Sequence, residues 1–188
     1  MTRPRTQLPI QWPDPPFNIV LIEPEIPQNT GNIARLCAAT GTTLNLIEPL
    51  GFQLTDKLVK RAGLDYWDAV NIQRFPNLGN FMEKSSKGRT RPEGERPRGC
   101  EATTKRSGLL FFSTSGTKSY TQAEYRPGDC LIFGSESRGL PLELLEANPD
   151  DVYNIPIQLE HVRSLNLANA AAIVLYEALR QFNREAEG

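Results

Sequence analysis

Short apolar runs alternate along the chain with stretches in which apolar residues recur every three or four positions. The runs predict β-strands over residues 18–23, 43–47, 69–72, 108–113, 130–133 and 152–157. The helical spacing predicts α-helices over residues 30–40, 56–62, 77–84, 142–146 and 164–183. Because strands and helices alternate, we expect a single α/β domain with a mostly parallel sheet and helices on both faces.

The last predicted helix carries apolar side chains around nearly its whole circumference. Such a helix must be buried on more than one side. In a domain this small the second side is plausibly a partner subunit, which predicts a homodimer through the last helix. Burial of the same helix in the centre of one chain's core is the alternative, and the sequence leaves both open.

Two segments are poor in apolar residues. Residues 1–16 contain five prolines, and residues 87–106 are rich in Gly and Pro and hold seven basic and three acidic residues. Their apolar surface is too small to offset the entropy of ordering them. We therefore predict a disordered lead-in over residues 1–16, a domain over residues 17–186, and a flexible basic insertion at about residues 87–106.

Composition narrows the possible functions. No apolar run approaches the roughly 18 residues of a membrane span, and the first residues lack a signal peptide's apolar stretch, so we expect no membrane partner. Three cysteines without metal spacing favour a reducing, cytoplasmic setting, with organelle targeting as the alternative. The single histidine, His161, rules out a histidine-rich metal site, and we expect no metal. The net charge of −1 gives no global basic field for nucleic acid.

The first polar block follows the first predicted strand and runs from Asn29 to Arg35 (Asn-Thr-Gly-Asn-Ile-Ala-Arg). Asn32 and Arg35 share one helix face because they are three residues apart, and Asn29 lies where that face begins. An arginine in this place can hold a phosphate or a ribose bidentately. The alternative is that Asn29 only caps the helix and that Arg35 is a solvated surface charge.

Two further polar blocks follow later strands. Residues 134–141 (Gly-Ser-Glu-Ser-Arg-Gly-Leu-Pro) place Glu136 and Arg138 between glycines, which permit a ligand to approach the backbone closely. The glycine fingerprint of dinucleotide-binding folds and the P-loop are both absent. Residues 163–169 (Arg-Ser-Leu-Asn-Leu-Ala-Asn) offer more polar groups than the start of a helix requires. Two such loops at the ends of two strands predict a binding pocket.

Together the three blocks resemble the motifs of the SPOUT class of RNA 2′-O-methyltransferases, over residues 18–181 apart from the insertion. Residues 23–32 (Glu-Pro-Glu-Ile-Pro-Gln-Asn-Thr-Gly-Asn) and 61–66 (Arg-Ala-Gly-Leu-Asp-Tyr) are similar to the small tRNA wobble-nucleotide members of that class. The resemblance implies S-adenosyl-L-methionine as methyl donor, tRNA as substrate and 2′-O-methylation of a wobble cytidine or uridine. It also implies a C-terminal deep trefoil knot, which periodicity could not have predicted because chains rarely thread.

The resemblance also implies roles for individual residues. The donor pocket would be lined by Phe112, Gly134, Ile155, Ser164, Leu165 and Asn166. The catalytic group would be Arg35, positioned with help from Asn32, Glu136 and Asn166. RNA contacts are expected from Arg35, Lys57, Lys60, Arg61, Arg138 and Tyr176, the last with core packing as its alternative. Because the pKa of a free arginine exceeds about 12, we expect Arg35 to stabilise a developing alkoxide rather than to remove a proton.

Three other functions compete with this one. The first is 2′-O-methylation of another tRNA or rRNA position, against which residues 26–35 argue. The second is a non-catalytic RNA-binding or assembly module on the same fold, against which the presence of Arg35, Gly134, Ser164 and Asn166 argues. The third, a doubly wound α/β protein that binds a small molecule, predicts no dependence on RNA. The proline-rich start and the basic insertion depart from the family pattern, and they bear on the substrate contacts rather than on the methyl chemistry.

Overall fold

A computed structural model describes residues 10–53, 70–87 and 108–186. The strands are β1 (Asn18–Ile22), β2 (Thr43–Ile47), β3 (Ile72–Phe75), β4 (Leu109–Phe112), β5 (Lys118–Ser119), β6 (Cys130–Phe133) and β7 (Val152–Asn154). The α-helices are α1 (Pro27–Thr40), α2 (Leu78–Lys87), α3 (Leu142–Glu146) and α4 (Leu167–Ala186). Two 3-10 turns cover Tyr120–Gln122 and Pro149–Asp151.

The strands form one seven-stranded sheet in the order β3-β2-β1-β6-β4-β7-β5, and each pair of neighbouring strands is parallel. The predicted parallel α/β sheet is therefore confirmed. Strands β2, β4 and β6 are buried along their whole length, and the continuous apolar sequences of β4 and β6 are typical of a sheet covered on both sides.

Alternate residues of each strand enter two separate cores. Ile19 and Leu21 of β1 join a core with α1 and α4, whereas Val20 and Ile22 join a core with α2 and α3. Helices thus cover both faces, as predicted. Cys37 and Cys130 are small buried residues in these cores. Burial raises the pKa of the Cys37 thiol to about 12 because the thiolate would lose its hydration.

Several element boundaries differ from those predicted. Strand β3 lies three residues later than expected, because Phe75 is buried against Phe81 of α2 and pairs with Ile47 of β2. Strand β7 ends at Asn154 rather than at residue 157, since Pro156 has no N–H for the sheet. The two polar residues of β5 gave no apolar signature and were not predicted. The predicted helix 56–62 and almost all of the 87–106 insertion lie outside the described residues.

Helix α1 begins at Pro27, three residues earlier than predicted, because proline suits the first turn of a helix. Helix α4 begins three residues later than predicted, at Leu167. Asn166 supplies the reason: its Oδ1 accepts the N–H of Ala168 at 2.9 Å and the N–H of Asn169 at 3.4 Å, which is the position of an N-cap.

Helix α4 is buried mainly within its own chain. Its side chains at Ala171, Val174 and Leu175 are wholly buried, so a central place in the core accounts for much of its apolar character. Ile173 and Tyr176 remain 37% and 53% exposed, which argues against core packing of Tyr176. No helix in the described part of the chain is long and apolar enough to cross a membrane.

Part of the predicted lead-in contacts this helix. The backbone N–H of Gln11 donates to Asn183 Oδ1 at 2.8 Å, and Asn183 Nδ2 donates back to the Gln11 carbonyl at 3.1 Å. Pro13 is buried. Residues 1–9 lie outside the described residues, and their disorder stays a prediction.

Candidate active site

A cavity of about 670 Å³ lies where β4, β6 and β7 end. Phe112, Phe133 and Asn154 close these three strands and line it, together with residues of the loops that follow. The carboxyl ends of strands are where open α/β sheets bind ligands, and the volume falls in the range of about 300–1,000 Å³ typical of small-molecule sites.

All six residues predicted for the donor pocket line this one cavity. They come from the ends of three strands and from the segment between β7 and α4: Phe112, Gly134, Ile155, Ser164, Leu165 and Asn166. The ring of Phe112 stacks on that of Phe133, with centroids 5.1 Å apart, and gives the cavity a flat apolar wall.

The loop after β6 needs its glycines for its own conformation. A Cβ on Gly134 would lie 2.0 Å from the carbonyl carbon of Gly139. Gly139 has a φ of +69° and donates its N–H to the carbonyl of Ser135 at 2.9 Å. Glycine is therefore required at position 134 because the loop packs against its own backbone, and the same residue lines the cavity.

The turn after β4 also lines the cavity and was not predicted. Ser113, Thr114 and Ser115 face it, and the turn is closed by a hydrogen bond from the Gly116 N–H to the Ser113 carbonyl at 3.1 Å. Asn154 Nδ2 donates to the Thr114 carbonyl at 3.1 Å and ties the turn to β7. Three hydroxyl residues followed by glycine, directly after a buried strand, were the available indication in the sequence.

Glu136 joins the loop after β6 to the start of α1. Its carboxylate accepts the N–H of Glu25 at 2.8 Å, the N–H of Ile26 at 3.3 Å and Nδ2 of Asn29 at 2.8 Å. Charge-assisted bonds of this kind are stronger than neutral ones. Because three donors occupy the carboxylate, Glu136 is suited to a positioning role.

Asn29 extends this connection to the third loop and was missed as a site residue. It is 5% exposed and lines the cavity. Its Oδ1 accepts a hydrogen bond from Asn166 Nδ2 at 2.9 Å, while its Nδ2 bonds to Glu136. Asn166 in turn caps α4. One buried amide thus holds the three polar blocks together, which goes beyond the helix capping that its sequence position indicated.

A second set of carboxylates faces the same loop from the end of β1. Glu25 accepts the hydroxyl of Ser137 at 2.6 Å and its N–H at 3.2 Å. Arg138, which lines the cavity, donates from Nη2 to Glu23 Oε2 at 2.7 Å. The loops after β1 and β6 therefore exchange hydrogen bonds in both directions.

The remaining predicted residues lie elsewhere. Asn32 and Arg35 are exposed on α1, three and six residues beyond Asn29, and neither lines the cavity. Tyr176 is exposed on α4. Lys57, Lys60 and Arg61 lie outside the described residues. Among the residues described, no group of three His, Cys, Asp or Glu side chains could hold a metal ion.

Comparison with known proteins finds a matching family model and similar sequences that agree with one another. The model of the SpoU rRNA Methylase family matches residues 16–176. The chain is 46% identical to the tRNA (cytidine(34)-2′-O)-methyltransferase of Saccharophagus degradans, over 88% of this chain and 95% of that one. It is 45% identical to the enzyme of that name from Aeromonas hydrophila, over 88% and 94%.

Solved structures agree in fold. One described as "Structural insights into the 2-OH methylation of C/U34 on tRNA" has a TM-score of 0.71 at 43% identity, covering 88% of this chain and 95% of that one. The AdoMet-bound rRNA methyltransferase of Sinorhizobium meliloti has a TM-score of 0.69, and its 24% identity supports the fold alone; the match covers 87% of this chain and 56% of that one. With its parallel sheet, its cavity at the strand ends and a family match over residues 16–176, the chain belongs to the SpoU rRNA Methylase family.

Proposed function

We propose that this protein transfers a methyl group from S-adenosyl-L-methionine to the ribose 2′-hydroxyl of the wobble nucleotide, cytidine or uridine 34, of tRNA. The observation that carries the proposal is the 45–46% identity, over 88% of the chain, to enzymes named for this reaction on cytidine 34. The cavity described above supplies the site, since every residue expected to bind the donor lines it.

The cavity fits a donor that joins a nucleoside to an amino acid. Phe112, Phe133 and Ile155 offer apolar surface for a base, and the hydroxyls of Ser113 and Ser115 with the amide of Asn154 offer polar partners. When bound, S-adenosyl-L-methionine supplies a methyl group already activated by a positive sulfonium. The contribution left to the protein is alignment and charge stabilisation.

Alignment is the role we assign to Asn29, Glu136 and Asn166. Their hydrogen bonds fix the start of α1, the loop after β6 and the start of α4 relative to one another. A nucleotide at the cavity mouth would therefore meet a preorganised rim. Preorganised geometry of this kind lowers a barrier without covalent chemistry, because little reorganisation is left for the moment of reaction.

Charge stabilisation is the role we assign to Arg35. It lies six residues after Asn29, about 9 Å further along the axis of α1, and its long side chain would reach the ribose of a nucleotide bound at the cavity mouth. Its positively charged guanidinium would stabilise negative charge developing on the 2′-oxygen. Asn32 stands on the same exposed side of α1 and would contact the same nucleotide. Arg138, at the mouth, would contact an RNA phosphate.

We also propose a homodimer through α4. The side chains of Ile173 and Tyr176 support it, since both are apolar or aromatic and exposed on a helix whose other side is deeply packed. Sedimentation of the wild type and of Ile173→Asp tests it, and a wild-type monomer would contradict it. The C-terminal knot, the contact of Tyr176 with RNA and a cytoplasmic location stay predictions.

The decisive test is methyl transfer from radiolabelled S-adenosyl-L-methionine to total tRNA from a strain without wobble 2′-O-methylation. We expect label in tRNA that nuclease digestion maps to nucleotide 34, and its loss in Arg35→Ala. Arg74→Ala is the matched control, because Arg74 is also an exposed arginine outside the cavity but lies on β3 rather than on α1. Label in rRNA alone would contradict the proposed substrate, and donor binding without any transfer would contradict catalysis.

A further inference from the structure

The ion pair of Arg138 with Glu23 is not explained by folding stability. The side chains of Arg138 and Glu23 are 68% and 33% exposed. Arg138 also lies near a second carboxylate, with its Nε 3.9 Å from Glu25 Oε1. Exposed ion pairs of this kind contribute little to the free energy of unfolding, because water screens them and both side chains lose freedom. The pair nevertheless sits on the rim of the cavity, which Arg138 lines.

The backbone conformation of Glu23 is unusual for a glutamate. Glu23 has a φ of +50° and is the one non-glycine residue with positive φ in the described ranges. Glycine and asparagine adopt this region most easily, whereas glutamate is strained there. The N–H of Glu23 donates to the carbonyl of Ile47 at 3.0 Å, which holds the turn in place. A carboxylate kept at a strained position indicates a task for that carboxylate.

The neighbouring carboxylates are engaged mainly by other donors. Glu136 receives three donors from the start of α1, and Glu25 receives two from Ser137 and lies 3.9 Å from Arg138 Nε. The carboxylate of Glu23 is directed at the guanidinium of Arg138. A guanidinium binds carboxylates and phosphates through the same planar fork of N–H groups. Glu23 and an RNA phosphate would therefore use the same donors on Arg138.

We propose that Glu23 holds Arg138 while no RNA is bound and competes with a tRNA phosphate for it, so that Glu23 sets the affinity for tRNA. The exchange replaces one acceptor by another on the same guanidinium. It allows Arg138 to be ordered at the rim before tRNA arrives and released again when the tRNA leaves. This inference rests on the proposed function, because it requires tRNA as the ligand.

The test is a double-mutant cycle on the dissociation constant of tRNA that lacks the wobble methyl group. Filter binding in the presence of S-adenosylhomocysteine is measured for the wild type, Glu23→Gln, Arg138→Gln and the double variant. We expect Glu23→Gln to tighten binding about two- to fivefold, the range of an exposed ion pair. The same substitution should have no effect when Arg138 is already replaced. Glu48→Gln, which breaks the exposed pair with Arg74, is the matched control and should leave binding unchanged.

A second variant separates this role from a structural one. Glu23→Gly removes the carboxylate and also relieves the positive φ, so we expect it to raise the melting temperature while it tightens tRNA binding. Weaker binding in Glu23→Gln would overturn the proposal, since Glu23 would then orient Arg138 for RNA. Equal tightening with and without Arg138 would also overturn it, because a general charge effect would explain the result. Failure of the wild type to methylate tRNA would instead refute the proposed function.

Discussion

Replacing Asn29 tests the connection between the three polar blocks. Asn29→Ala removes the bond from Nδ2 to Glu136 and the bond from Asn166 Nδ2 to Oδ1, which are 2.8 and 2.9 Å long. Asn29 is 5% exposed, so water replaces these bonds poorly. Asn29→Asp keeps the shape but brings a second carboxylate against that of Glu136, which adds repulsion to the loss of the donor.

The expected loss of stability follows from the strengths of the two hydrogen bonds. A neutral hydrogen bond contributes about 0.5–1.5 kcal/mol and one to a charged group about 1.5–3 kcal/mol. We therefore expect Asn29→Ala to lower the free energy of unfolding by about 2–4 kcal/mol. Asn29→Asp should lower it further, because two carboxylates then face each other without the donor that joined them.

The assays are urea unfolding and steady-state methyl transfer on the same variants. Asn183→Ala is the control, because Asn183 also uses both ends of its amide, bonding to Gln11 and to the Leu179 carbonyl, but lies away from the cavity. We expect both alanine variants to lose stability and only Asn29→Ala to lose kcat. A stable Asn29→Ala with wild-type kcat would refute the argument, as would an equal loss of kcat in Asn183→Ala.

Three further predictions concern single positions. Gly134→Ala should lower the free energy of unfolding by about 3 kcal/mol or abolish folding, because its Cβ would lie 2.0 Å from Gly139; urea unfolding checks this. Asn154→Ala should raise the dissociation constant of S-adenosyl-L-methionine several-fold in calorimetry, because the turn at Thr114 loses its tie to β7, and an unchanged constant would contradict it. The Cys37 thiol, with its pKa raised to about 12, stays protonated at pH 8; iodoacetamide should label it only after unfolding, as mass spectrometry will show.

The sequence determined the architecture because the responsible forces are local and periodic. Apolar runs such as residues 130–133 are too short for helices and too continuous for a half-exposed sheet, so they predict buried parallel strands. The polar blocks at the strand ends indicated the site for a related reason, since parallel strands bring their carboxyl ends to one edge. The family resemblance then gave the six residues of the donor pocket, all of which meet in one cavity.

Only the tertiary structure decided which polar residues work together. Asn29 and Asn166 are 137 positions apart, and their hydrogen bond depends on how α1 packs against α4. The same holds for Glu23, whose partner Arg138 lies 115 positions away, and for Gly134, whose need for glycine arises from the fold of its own loop. Sequence periodicity reports which side of an element is buried, but hydrogen bonds form over about 3 Å and depend on distances that only packing sets.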